Sequence, residues 1–137
     1  DMTISETAKK YDLTPDTLRY YERIGLIPPV RRNASGLRDY DQEACRWVEF
    51  IKCMRSAGLP IEVLIEYVQL FRQGDATVDA RLELLTEQRR LLQERICAMQ
   101  NTLARLDYKI QLYESGQMKQ CEQRLTGSGE PEQPDIP

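Results

Sequence analysis

Between Thr77 and Glu114 the chain contains neither proline nor glycine. Within that run Val78, Leu82, Leu85, Arg89, Leu92, Ile96, Met99, Leu103, Leu106, Ile110 and Tyr113 follow at alternating spacings of four and three, and ten of these eleven residues are apolar. Such a heptad pattern predicts one long helix with a coiled-coil seam. The 36 residues from Val78 to Tyr113 would span roughly 54 Å at helical rise. A lone helix cannot bury its own stripe. The most economical partner is the same helix of a second subunit, which makes Leu82, Leu85, Leu92, Ile96, Met99, Leu103, Leu106 and Ile110 candidate dimerisation residues. The heptad alone does not fix strand direction.

The residues ahead of this helix read as shorter ones. Thr3 or Ser5 can cap a helix that carries Ile4, Ala8 and Tyr11 at helical spacing. After the Asp12-Leu13 turn, Thr14-Pro15-Asp16 supplies an N-cap, a proline at the first helical position and an acid in the first turn. This second helix ends near Gly25, ahead of Pro28-Pro29. Two helices joined by a short turn form a helix-turn-helix. Residues 30–40 follow, with turn chemistry at Asn33-Ala34-Ser35-Gly36 between two extended arms, and read as a basic hairpin, or wing. A third helix starts at Asp41 and stops at Gly58, and a fourth runs from near Pro60 to Gly74. Leu18 and Leu26 are core candidates. The expected division is a head over 1–74, a coiled-coil helix over 75–115 and a flexible acidic tail over 116–137.

Charge separates the possible functions. The net charge of the 137-residue chain is -3, yet residues 19–38 hold five arginines and one acid, Glu22. Phosphate binding responds to a local patch of this kind rather than to the sum. The chain has no histidine, which removes Cys–His and Ser–His dyads and the commonest metal ligand. Cys45, Cys53, Cys97 and Cys121 are 8, 44 and 24 positions apart, too scattered for a zinc or iron–sulfur framework. No cofactor, metal or catalytic constellation is indicated, so an enzyme is not expected. No apolar run is long enough for a membrane span, and the polar stretch from Thr3 to Asp12 is unlike a signal peptide. A reducing, cytoplasmic setting is expected. Asp1, ahead of Met2, is set aside as a processing remnant.

The block T-L-R-Y-Y-E-R-I-G-L-I-P-P at 17–29, the stretch R-R-N-A-S-G-L-R-D-Y at 31–40 and the long C-terminal helix together resemble the MerR family of bacterial transcription regulators. The resemblance covers roughly Met2 to Tyr113. One departure is Leu37, where the family usually carries an aromatic residue. The resemblance implies a mainly α fold, with a winged helix-turn-helix head and a homodimer joined by an antiparallel coiled coil. It also implies activation at promoters whose −35 and −10 elements lie too far apart: the bound dimer bends and untwists the duplex and realigns the elements for RNA polymerase.

On that pattern the DNA-binding candidates are Thr14, Thr17, Arg19, Tyr20, Arg31, Arg32, Arg38 and Tyr40. Thr14 is also fully explained as an N-cap, and Tyr40 as packing that ties the wing to the head. Metal-sensing relatives carry a cysteine at the start of the long helix, where Thr77 and Asp79 stand here. Soft ions want two or three thiolates, which the chain does not group. The run F-I-K-C-M-R-S-A-G-L-P-I-E at 50–62 instead resembles the thiol- and aldehyde-responsive AdhR/NmlR type. That likeness makes Cys53 the candidate sensing residue, set on the flank of a helix face centred on Trp47, Phe50, Ile51 and Met54. Cys45 falls nearly opposite that face and reads as incidental, like Cys121, while Cys97 reads as structural. Two alternatives stay open: a metal- or small-ligand-sensing regulator of the same fold, and a coiled-coil interaction protein that does not bind DNA.

Overall fold

The computed structural model of the chain describes residues 1–117. Cys121 and the acidic tail from residue 118 lie outside them. The described residues form five α-helices: α1 (Ile4–Lys10), α2 (Pro15–Ile24), α3 (Gln42–Ser56), α4 (Ile61–Arg72) and, after a 3-10 turn at Asp75–Thr77, α5 (Val78–Glu114). The fold is mainly helical, as the sequence implies.

Local chemistry sets each boundary. Thr3 and Glu6 form a reciprocal capping box on α1: Thr3 Oγ1 accepts from Glu6 N at 3.1 Å and the Glu6 carboxylate accepts from Thr3 N at 2.8 Å. Asp12 turns the chain with φ 54°, a left-handed conformation that Asp tolerates better than most side chains. Thr14 Oγ1 then accepts from Thr17 N at 3.1 Å, and Pro15 opens α2. Gly25 closes α2 with φ 85°, a conformation glycine adopts without strain. Asp41 caps α3 by accepting from Ala44 N at 2.8 Å. The Thr77 hydroxyl donates to the carbonyls of Leu70 and Gly74 and so fastens the turn that leads into α5.

The first compact unit spans Asp1–Arg89 and includes the N-terminal turns of α5. In its core Leu18, Leu26, Val48, Ile51 and Leu64 are almost wholly buried, each stabilising the fold by about 1.5–3 kcal/mol over exposure. Leu18 and Leu26 take the core places read for them.

Helix α3 departs from the single-face reading. It turns Cys45, Val48 and Ile51 into the head core. A neighbouring side lays Trp47 and Phe50 against α4. There the Trp47 ring lies 4.9 Å from Phe71 and 5.9 Å from Tyr67, and Phe50 lies 5.7 Å from Tyr67. Cys45 is therefore a core residue, 8% exposed, with Sγ 3.9 Å from the Tyr40 carbonyl. A helix that packs on two sides has no single apolar centre, so a position opposite the Trp47 face can still be core.

The wing is also simpler than the expected hairpin. No strand forms among the described residues, and its arms meet through one antiparallel bridge, Arg32 with Arg38. Asn33 holds the tip instead. Its Oδ1 accepts from Ser35 N at 2.9 Å and from Leu37 N at 3.0 Å, and Gly36 turns the chain at φ 80°. A second bridge joins Met2 to Tyr40 through two backbone hydrogen bonds, 3.0 and 2.8 Å long, and ties the wing's end to the start of the chain.

The second compact unit begins at Arg90. Its part of α5 exposes Ile96, Met99, Leu103, Leu106, Ile110 and Tyr113. Farther up the helix Leu82 is exposed as well, while Leu85 and Leu92 are half-buried. No helix among the described residues is long and apolar enough to cross a membrane.

Candidate nucleic-acid interface

The candidate surface is built from α2 and the wing. The N-terminus of α2 presents Thr14 and Thr17, whose hydroxyls lie 2.9 Å apart. One is exposed and the other half-buried. At the first helical turn, the positive end of the helix dipole favours an anion. Arg19 and Tyr20 follow on the outer side, while Tyr21 turns into the core. Arg19 Nη1 pairs with Asp16 Oδ1 at 2.8 Å. The Arg23 guanidinium lies 5.4 Å from the centre of the Tyr20 ring and braces it.

The wing arginines are held in three different ways. Arg31 is exposed and pairs with Asp1 at 2.6 Å and Asp39 at 3.4 Å. Asp1, set aside in the sequence reading, therefore touches this surface. Arg32 Nη1 donates to the Gly36 carbonyl at 2.9 Å, across the wing's own turn. Arg38 is partly buried and donates through Nε to Glu22 Oε1 at 2.7 Å. The second oxygen of Glu22 accepts from Val30 N at 3.0 Å. A single acid of α2 thus anchors both the entry and the exit of the wing.

Tyr40 is the correction among the site candidates. Its side chain is 1% exposed and its hydroxyl is enclosed with no hydrogen-bond partner among the described residues. It packs beneath the wing and does not present itself to a duplex. Burial pushes its pKa above the usual tyrosine value. Thr14, Thr17, Arg19, Tyr20, Arg31, Arg32 and Arg38 remain on or at the edge of the surface.

Sequence reasoning placed the wing's turn at Asn33–Gly36 but missed Glu22 as an organiser. The Asn33 spacing to Gly36 carried a usable turn signal. Glu22 carried none, because its partners lie 8 and 16 residues away.

Cys53 lies on the exposed side of α3. The cations beside it in sequence are engaged elsewhere: the Lys52 ammonium donates to the Tyr11 carbonyl, and Arg55 Nη1 donates to the Leu59 carbonyl at 2.7 Å. Cys97 is also exposed. Among the described residues no group of three or more carboxylate, thiol or imidazole side chains converges as a metal site would require.

Comparison with known proteins places these features in context. Residues 2–70 match the family described as "MerR HTH family regulatory protein", and residues 45–108 match "MerR, DNA binding". The chain is 60% identical over 93 residues to the HTH-type transcriptional regulator AdhR of Bacillus subtilis, an alignment covering 68% of this chain and 66% of that regulator, just under two thirds of its length. A MerR family transcriptional regulator from Listeria monocytogenes has a solved structure that superposes with TM-score 0.84 at 49% identity, covering 90% of this chain and 93% of that one. HiNmlR, a MerR family regulator lacking the sensor domain and solved bound to promoter DNA, superposes with TM-score 0.75 at 26% identity, covering 85% and 92%.

Proposed function

The chain belongs to the MerR family of helix-turn-helix regulatory proteins, and on that premise we propose that it controls transcription by binding and distorting double-stranded promoter DNA as a homodimer. One observation carries this reading: Arg19 and Tyr20 on the outer side of α2 adjoin a wing whose Arg38 is fixed to the same helix through Glu22. A helix that reads a groove and a wing that follows the backbone need such a fixed relation. In this reading Thr14, Thr17, Arg31, Arg32 and Arg38 meet phosphates or the groove edge, while Arg19 and Tyr20 meet phosphates and base edges. Promoter DNA in the HiNmlR structure supports the choice of partner.

The exposed apolar stripe of α5 supports a second copy as the other partner. An antiparallel coil would set two heads apart for a two-fold site. RNA polymerase then acts on the realigned promoter in the cytoplasm. The inducer is an electrophile, such as a reactive aldehyde, that modifies Cys53. Similarity to AdhR and the exposure of Cys53 support that part. Footprinting across the chain's own upstream region tests the whole reading. A protected site with two-fold symmetry and an overlong spacer is the expected result, and no protection by folded dimer would contradict it.

A further inference from the structure

We propose that Glu22 is a positioning residue for phosphate recognition by Arg38, an inference that rests on the wing meeting the DNA backbone. Glu22 gives its two carboxylate oxygens to two different donors, Oε1 to Arg38 Nε and Oε2 to Val30 N. Among the described residues Arg38 is engaged through Nε alone, so its two terminal NH2 groups keep the geometry that suits a phosphate. The pair is also enclosed: the side chains of Arg38 and Glu22 are 22% and 16% exposed. By contrast, the acid facing Arg19 is 93% exposed, and that pair is screened by water. Arg38 is thereby held in one conformation before DNA arrives, and binding does not have to order it.

Simple electrostatics makes the opposite forecast. An acid inside a phosphate-facing patch repels the duplex, so neutralising it should tighten binding. Positioning requires that neutralising it loosen binding, and only while Arg38 is present. This sign difference separates the two roles.

The test measures affinity for one promoter duplex from the chain's own upstream region, at stepped salt, for wild type, Glu22→Gln, Glu22→Asp, Arg38→Ala and the Glu22→Gln/Arg38→Ala double variant. Gln keeps an oxygen for Val30 N. Asp keeps the charge but is too short to span both donors, and it serves if Gln destabilises the head. Glu22→Gln and Glu22→Asp should each weaken binding about 3- to 10-fold, while Arg38→Ala should also lower the log–log salt slope by about 0.9, the loss of one phosphate contact. In the Arg38→Ala background the Gln substitution should have no effect or tighten binding. Equal or tighter binding by both folded Glu22 variants, or the same loss with and without Arg38, would overturn the proposal. An Arg38→Ala chain that binds like wild type overturns the wing contact and the proposal together. Loss in Arg38→Ala without loss in either Glu22 variant overturns the role of Glu22 alone.

Discussion

Arg19 Nη1 sits 2.8 Å from Asp16 Oδ1, one turn nearer the start of α2, and both side chains face solvent. An exposed pair of this kind contributes about 0.2–1 kcal/mol, so it yields readily to a phosphate or base edge. Arg19→Ala should weaken promoter binding by about 1–3 kcal/mol if it reads a base. Asp16→Asn should leave affinity level or raise it, because it removes a competing acid. Titration of a labelled duplex by fluorescence anisotropy measures both. A larger loss for Asp16→Asn than for Arg19→Ala would remove Arg19 from the interface.

Tyr40 separates packing from polarity. Its ring is buried and its hydroxyl has no hydrogen-bond partner among the described residues. Tyr40→Ala should therefore cost about 3–5 kcal/mol, as for other large core aromatics. Tyr40→Phe should be neutral or slightly stabilising, since an unpaired hydroxyl is removed. Burial raises the folded-state pKa of Tyr40. Its contribution is thus fully present below the unfolded tyrosine value and is lost as pH rises through the folded value. Thermal melts should show that Tyr40→Phe loses less stability above about pH 10 than wild type does. Equal alkaline losses would contradict this.

The seam of α5 can be tested with one charge. Leu103 is 57% exposed on the chain by itself. In a two-fold coil Leu103→Asp would bury an unpaired carboxylate from each subunit, at a cost on the order of 3–5 kcal/mol. Sedimentation should show wild type as a dimer and the variant as a folded monomer, with promoter affinity falling in parallel. A variant that stays dimeric would place the interface elsewhere.

Cys53 is exposed, but Lys52 and Arg55 are engaged with backbone carbonyls. The proposed sensing role therefore rests on the access that its exposure gives. Cys53→Ala should abolish aldehyde-induced transcription while changing promoter affinity less than about 2-fold, well under 1 kcal/mol. Persistent induction in the variant would move sensing to another residue.

What the sequence made legible follows the reach of each signal. Caps and glycine stops act within four residues, so the helices from Thr14 to Gly25 and from Asp41 to Gly58 could be read directly. The heptad run of α5 was legible because it repeats over many turns. Two kinds of feature were not. Helix α3 packs on two sides, so Cys45, nearly opposite the face centred on Trp47, reads as incidental although it is core. Glu22 acts through partners distant in sequence, and Tyr40 is fixed by a bridge to Met2. Long-range pairing of this kind leaves no periodic trace. The candidate surface was legible as a cluster of arginines, but how each is held was not.

The most direct measurement is the salt dependence of binding to the chain's own upstream DNA. If Arg19 and the wing arginines neutralise phosphates, log affinity should fall linearly with log salt, with a slope of about −0.9 for each phosphate contacted, and several contacts should be counted. Saturable binding with that slope by the dimer is the expected result. Absence of binding at the lowest salt by folded, dimeric protein, or binding indifferent to salt, would contradict a DNA-binding regulator.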